Sequence, residues 1–276
     1  MTTLPALVPR LERENIWNRH LAPEIALTWL AAGWSDVKTN FAASLLYGLL
    51  VFLVSEAFVF GLFHFGWDYF LFPALAGFMV VGPLLAIGLY EKSRRIAKGE
   101  PAGLFRMIYV KPKSGGQILF TGVLLCLLMV LWMRAAVIIY ALFFGMLPFP
   151  GLSHIAPMLF TTPVGWAMLI VGCAVGGLFA AFSFALSAFS IPMLLEERTD
   201  ALTAMGMSMT LVWNNLPVML AWAAIILALF LLSLASGLLG LVIVFPLLGH
   251  GTWHAYDAMR RQNLTAPMTA PTALPV

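Results

Sequence analysis

Two charged side chains, Glu56 and Arg134, fall inside apolar runs of the sequence. Counted from the same end of their runs they lie about 15 and about 17 residues deep, a difference of about 3 Å at about 1.5 Å per residue. A charge in hydrocarbon costs about 2.5–3.5 kcal/mol or more unless it is paired or hydrated. The sequence therefore predicts a Glu56–Arg134 ion pair that locks two helices together. Ion or proton passage, and an unpaired Arg134 reaching toward the membrane surface, are the alternatives.

Histidines form two further candidate clusters. His250, His254 and Asp257 follow the spacing i, i+4, i+7, which places them on one helix face. Two imidazoles one turn apart can share a metal ion, although the spacing fixes no third ligand. We favour a cluster that hydrogen-bonds to neighbouring helix ends. The second cluster, of His64, Asp68 and His154, lies toward the opposite membrane face.

The sequence predicts no bound cofactor. His250 and His254 cannot hold a haem between them from a single helix, and His64 and His250 lie toward opposite membrane faces. A metal ion, or a haem shared with a partner protein, is the alternative. The chain contains no phosphate-binding P-loop, no serine-hydrolase GxSxG motif and no zincin HExxH motif. We therefore expect a protein that is not an enzyme.

Small residues recur at every fourth position of one apolar run. Gly172, Gly176 and Ala180 would let another helix approach closely. We favour packing within the chain, with self-association as the alternative.

The composition excludes a water-soluble domain. Of the 276 residues, 62% are hydrophobic and 10% are charged, with a mean hydropathy of +0.95. Soluble domains are about 25% charged. The net charge of +3 comes from loop lysines and arginines, which favours a membrane surface and not nucleic acid as the partner. Both cysteines, Cys126 and Cys173, lie in apolar runs, so a disulfide framework and a cysteine zinc site are excluded.

The fold class predicted is all-α, a polytopic membrane helix bundle. Six stretches have the length of about 20 residues that crosses a hydrocarbon core. Short turns at Gly66–Asp68 and Ser236–Gly237 join two pairs of them into hairpins. Pro83, Pro192 and Pro246 each precede apolar residues near one end of a span, which suggests three repeated hairpins. The predicted spans are Phe41–Phe65, Tyr69–Tyr90, Gln117–Phe144, Pro163–Ile191, Leu216–Ala235 and Gly237–Tyr256.

The sequence predicts four successive segments along the chain. Residues 1–20 are expected to be a disordered terminus, and residues 259–276 a disordered tail. Residues 21–38 predict an amphipathic helix that lies in the headgroup region, with Asp36 off its apolar face. An ordinary soluble helix is the alternative for that segment. Residues 39–258 form the six-helix domain.

Basic residues set the expected orientation. All of the 15 lysines and arginines except Arg134 lie on one side of the predicted topology. The positive-inside rule places that side, with both termini, in the cytoplasm. Pro148 to Pro163 then form an outer segment that could cap the bundle or dock a partner.

Several motifs between Leu21 and Arg261 resemble the domain of unknown function 2189 family, predicted bacterial integral membrane proteins. This resemblance implies a location in the bacterial inner membrane and no established activity. The motifs are Gly33-Trp34, Gly88-Leu89-Tyr90, Trp132-Met133-Arg134, Ser190-Ile191-Pro192-Met193-Leu194-Leu195 followed by Asp200, and Pro246-Leu247-Leu248-Gly249-His250-Gly251-Thr252-Trp253-His254-Ala255-Tyr256.

The expected function is that of an accessory or assembly subunit of a membrane complex, with the lipid bilayer and other membrane subunits as partners. Sparse polarity inside the spans and short outer loops motivate this hypothesis. A small-solute transporter is the first alternative, and a metal- or haem-handling membrane protein is the second.

Overall fold

The structure, a computed structural model, describes residues 15–145 and 151–261. These residues are 82% helix and contain no strand, so the all-α prediction is confirmed. A short 3₁₀ turn, Asp68–Phe70, follows the second helix. The helices are α1 Ile25–Lys38, α2 Phe41–His64, α3 Leu71–Leu85, α4 Ile87–Ala97, α5 Leu104–Ile108, α6 Gly115–Phe144, α7 Leu152–Thr161, α8 Pro163–Ser187, α9 Ser190–Glu196, α10 Ala201–Asn214, α11 Leu216–Ala235 and α12 Leu241–Arg261.

Five helical segments of the described chain are long and apolar enough to cross a membrane. They correspond to the first five predicted spans. The sixth, Gly237–Tyr256, is not among them, because α12 is apolar only in its first turns and becomes polar after Leu248. The five segments are Phe41–His64, Asp68–Ala97, Gly115–Phe144, Pro163–Glu196 and Leu216–Ala235.

Two of these segments are broken, and a neighbouring hydroxyl group satisfies the backbone at each break. Pro83 lies inside α3, three residues before the break at Ala86. The Leu85 carbonyl there accepts a hydrogen bond from the Tyr47 hydroxyl at 2.8 Å. Between α8 and α9, Ser208 donates to the Ala185 carbonyl at 2.7 Å and accepts from the Phe189 N–H at 3.1 Å.

The three prolines of the predicted repeat have different local roles. Pro83 precedes a break, Pro192 lies in the first turn of α9, where proline is tolerated, and Pro246 lies inside the continuous α12. The three-hairpin repeat stays a prediction.

Helix α12 is the centre of one half of the bundle. It packs against α1, α2 and α4, whereas α3, α6 and α8 pack together in the other half. The ends of α4 and α12, the start of α6 and the helices α1, α5, α9 and α10 meet at one end of the molecule. We call this the basic end, because it carries the loop lysines and arginines.

The chain is ordered further toward its N-terminus than predicted. Within the expected disordered terminus, Arg19 is buried and donates a hydrogen bond to the Met259 carbonyl of α12 at 2.7 Å. The tail was predicted from residue 259, but α12 continues to Arg261. This contact explains both corrections, because each segment satisfies polar groups of the other. Residues 1–14, 262–276 and 146–150 lie outside the described residues.

Candidate functional site

A cluster of polar side chains lies between four helices at the basic end. We call it the polar network. Asn40, in the left-handed conformation (φ 58°), joins α1 to α2, so that the end of α1 lies beside the start of α2. The members of the network are Asp36 of α1, Ser44 of α2, Lys92 and Ser93 of α4, and His250 and His254 of α12.

The polar network is a continuous chain of hydrogen bonds. The Lys92 Nζ lies 2.6 Å from the Ser44 Oγ and 3.2 Å from the Asn40 carbonyl. The Ser44 Oγ is 3.1 Å from the Nε2 of His250, whose Nδ1 is 2.7 Å from the Ser93 Oγ.

Asp36 is the last member of this chain of hydrogen bonds. Its Oδ2 accepts from the Ser93 hydroxyl at 2.5 Å and lies 2.9 Å from the Nε2 of His254. The network therefore links an ammonium group to a carboxylate through three neutral groups.

Only one direction of donation satisfies every member. An ammonium group can only donate and a carboxylate can only accept. Lys92 therefore donates to Ser44, Ser44 to the Nε2 of His250, the Nδ1–H of His250 to Ser93, and Ser93 to Asp36. This order assigns His250 as the neutral Nδ1–H tautomer. Buried polar networks stabilise a fold when every member is satisfied in this way.

The network is enclosed by the protein. Ser44, Lys92 and His250 are 0% exposed and Ser93 is 1% exposed. Only the His254 side chain, 29% exposed, reaches the surface. Burial by itself raises the pKa of the Asp36 carboxyl, but the hydrogen bonds from His254 and Ser93 outweigh it. The pKa of Asp36 therefore lies below its ordinary value.

Glycines allow the helices around the network to approach each other. A Cβ on Gly33 of α1 would lie 2.7 Å from the backbone nitrogen of Gly251 in α12. A Cβ on Gly48 of α2 would lie 2.2 Å from the Val242 carbonyl oxygen in α12. Any larger residue at these positions would push α12 away from α1 and α2.

Between the spans lie two cavities whose linings contain no charged residue. The first, about 180 Å³, lies among α3, α4, α6, α8, α11 and α12, and we call it the central cavity. The second, about 610 Å³, lies among α2, α3, α6, α11 and the turn before α12, and we call it the apolar cavity. Phe78, Phe230 and Leu241 line both.

The two histidines of the predicted metal site hydrogen-bond to other protein side chains. Both ring nitrogens of His250 are occupied by Ser44 and Ser93, and His254 bonds to Asp36. In residues 15–145 and 151–261, no three His, Cys, Asp or Glu side chains are grouped so that they could hold a metal ion. His250 and His254 thus belong to a hydrogen-bonded cluster that joins α12 to α1, α2 and α4.

The predicted Glu56–Arg134 ion pair is absent, which is a correction. Neither residue makes an ion pair with any described residue, and Arg134 is exposed on the apolar surface of α6. The reason is the helix arrangement: α3 packs against α6, whereas α2 packs mainly against α12. Similar depth did not bring the two charges together.

The second histidine cluster is also not assembled as predicted. His64 stacks on Phe60 with ring centroids 5.8 Å apart and meets Phe65 edge-on at 5.2 Å. No hydrogen bond or ion pair joins His64 to Asp68 in the described structure, and His154 lies exposed on α7.

The small residues of α8 have different neighbours. A Cβ on Gly176 would lie 2.8 Å from the Trp132 ring of α6, so Gly176 serves packing within the chain. A Cβ on Gly172 would meet nothing within 4 Å. Ala180 lines the central cavity.

Sequence reasoning missed four members of the network: Asp36, Ser44, Lys92 and Ser93. A signal for Asp36 was present, because Trp29, Gly33 and Asp36 share the spacing i, i+4, i+7 and so one helix face. Trp29 is buried edge-on against Trp222 with ring centroids 6.0 Å apart. That face of α1 therefore packs on protein, and Asp36, which was placed off the apolar face, is buried with it.

Residues 71–196 match the family model DUF2189, described as predicted integral membrane protein. This confirms the resemblance over α3 to α9, a range that contains Lys92 and Ser93 but ends before the histidines of α12. No curated protein and no solved structure matches the chain. With its several apolar helices of membrane-spanning length, the chain is an integral membrane protein.

Proposed function

We propose that this integral membrane protein, with residues 71–196 matching DUF2189, is not an enzyme and acts as an accessory or assembly subunit of a membrane complex. One observation carries the proposal: the cluster with the chemistry of a catalytic site is closed to substrate. A serine hydroxyl beside a lysine and a histidine is the composition of an activated nucleophile. Ser44, Lys92 and His250 are 0% exposed, and each uses its polar atoms on another member of the cluster.

The polar network serves instead as a lock between helices. It fixes α1, α2, α4 and α12 relative to each other at the basic end, where α1 would otherwise have only its apolar contacts. A rigid platform of this kind suits a protein that works by holding a partner.

The surface of α8 supports association with another helix. No atom of the described chain would lie within 4 Å of a Cβ on Gly172, and its neighbours Ile170 and Val171 are exposed. Small residues on an exposed span allow close approach of a second transmembrane helix.

Native mass spectrometry of the protein, gently extracted from its own membrane, tests the association. We expect a complex with a second polypeptide, and Gly172→Leu should release it without unfolding the chain. Gly177→Leu is the matched control, because Gly177 also faces open space but lies about 140° around the same helix at about 100° per residue. A monomer in the unaltered protein would contradict the accessory role.

A fluorophosphonate probe tests whether Ser44 is an accessible, activated nucleophile. We expect no labelling of Ser44 in the folded protein, with Ser44→Ala as the blank. Labelling that disappears in Ser44→Ala would show an accessible nucleophile and overturn this part of the proposal.

The cavities between the spans give no support to the first alternative, a transporter of small solutes. Their linings contain no charged residue, and Glu56 lines neither of them. A cysteine placed at Glu56 tests this alternative: labelling by a water-soluble reagent from either side would favour transport.

We further propose that α12 is the sixth span and that both termini lie in the cytoplasm of a bacterial cell. Helix α11 ends away from the basic end, and α12 returns to it by packing along α2 and α1. Reporter fusions after Lys98 and Arg261 should report the cytoplasm, and one after Gly151 the opposite side. A reversal at either cytoplasmic site would exclude this topology.

A further inference from the structure

The central cavity holds polar side chains that have no partner. Ser183 of α8 is 2% exposed, and its Oγ makes no hydrogen bond. The Nε1 of Trp132 on α6 is also buried without a partner. Both residues line the central cavity. Burying a hydroxyl or an N–H without a hydrogen bond is costly, so these two groups point to an acceptor that enters the cavity.

The two donors lie on adjacent helices and line the same cavity. Trp132 packs against Phe179, with ring centroids 5.7 Å apart, and against Gly176. Gly176, Phe179 and Ser183 follow the spacing i, i+3, i+7 along α8, which places them on one face. The remaining polar residues of the lining are Tyr90, Ser187 and Thr252.

The depth of the donors restricts the source of the acceptor. At about 1.5 Å per residue, Ser183 lies about 5 Å from the middle of Pro163–Glu196 and Trp132 about 4 Å from the middle of Gly115–Phe144. The ester carbonyls of phospholipids lie at the edge of the hydrocarbon core, which is about 30 Å thick. The acceptor therefore belongs to a molecule that brings its oxygen atoms to the middle of the bilayer.

The size of the cavities indicates a ring with a tail. A cavity of about 150 Å³ in another protein accommodates benzene, and the central cavity is about 180 Å³. Phe78 and Phe230, stacked 5.7 Å apart, lie where it meets the larger apolar cavity. Ala180 lines the central cavity and is exposed on α8, so the cavity opens toward lipid at that residue.

We propose that the central cavity binds an apolar ring with carbonyl oxygens, the chemistry of a membrane quinone, and that its tail lies in the apolar cavity. The hydroxyl of Ser183 and the indole N–H of Trp132 donate to the carbonyl oxygens. This site is separate from the polar network and does not depend on the accessory role.

Thermal unfolding of the protein in phosphatidylcholine nanodiscs, titrated with decylubiquinone, tests the proposal. We expect the midpoint temperature to rise with ligand concentration. Phenyldecane, which has a ring and a tail but no carbonyl, should give little or no rise. No rise with decylubiquinone, or an equal rise with phenyldecane, would overturn the proposal.

Two variants test the donors. Ser183→Ala and Trp132→Phe should each weaken decylubiquinone binding about 3- to 10-fold, as expected for one hydrogen bond. Ser183→Ala should fold, because it removes an unsatisfied polar group from the unliganded protein. Ser233→Ala is the matched control: Ser233 is buried, but it bonds to the Leu229 carbonyl and lines neither cavity. Unchanged affinity in both donor variants would exclude the assigned contacts.

Mass spectrometry of a solvent extract of the protein, purified from native membranes, identifies the molecule that supplies the acceptor oxygen atoms. An isoprenoid quinone, reduced in amount from Ser183→Ala, supports the proposal. Phospholipid alone, in equal amounts from both proteins, would overturn it.

Discussion

The polar network at the basic end and the central cavity both bury polar side chains. They differ in whether those side chains have hydrogen-bond partners. Every member of the network has a partner within the chain, from Lys92 to Asp36. In the central cavity, Ser183 and Trp132 have none. A satisfied network holds helices together and leaves no group for a substrate. Unsatisfied donors beside empty volume are what a binding site requires.

The largest expected effect comes from removing the charge at one end of the network. Asp36→Asn leaves the buried Lys92 ammonium without a compensating carboxylate. We expect a loss of about 3 kcal/mol in the free energy of unfolding. This is the lower end of the range for one missing partner of a buried pair, because three neutral groups separate the two charges. Denaturant unfolding in detergent measures it. The double variant Asp36→Asn with Lys92→Met should recover most of the loss, and a further loss in that variant would contradict the network.

A smaller loss is expected where glycine brings two helices together beside the network. A Cβ in Gly48→Ala would meet the Val242 backbone at 2.2 Å, and overpacking of this kind costs about 1–3 kcal/mol. Gly61→Ala on the same helix is the control, because nothing lies within 4 Å of its Cβ. There we expect a gain of up to about 1 kcal/mol from helix propensity. Equal unfolding midpoints for the two variants would refute the close contact.

A pH titration distinguishes the network from the cavity. The pKa of Asp36 is lower in the folded protein than its ordinary value, which is about 3.9. Its contribution to stability is therefore complete above that value and is lost as the pH falls toward the folded-state pKa. Asp36→Asn should flatten the dependence of the unfolding midpoint on pH in this window. Ser183→Ala should leave the dependence unchanged.

The smallest effect is expected at Glu56. Since Glu56 and Arg134 form no ion pair, Glu56→Gln should change the free energy of unfolding by no more than about 0.5 kcal/mol. The same unfolding measurement in detergent applies. A loss of several kcal/mol, recovered by adding Arg134→Met, would show that the pair predicted from the sequence forms after all.

The sequence by itself determined the helical class and the positions of the first five spans. Membrane-length apolar runs must form helices, because hydrocarbon offers no partner for the backbone, and this information is local to each run. The turn after His64 could be predicted from the sequence because its signal is also local. The sequence also favours a hydrogen-bonded cluster at His250 and His254, because i, i+4 spacing places both side chains on one helix face.

Only the tertiary structure decided which helices are neighbours, and with that every contact between them. Glu56 and Arg134 have matching depths, yet α3 packs on α6 while α2 packs on α12. The sequence places Asp36 off the apolar face of an interfacial helix. In the structure α1 packs on α12, and Ser93 and His254 supply the hydrogen bonds of Asp36. A charged side chain is buried or exposed according to the partners that other helices bring. The spacing within one helix cannot supply that information.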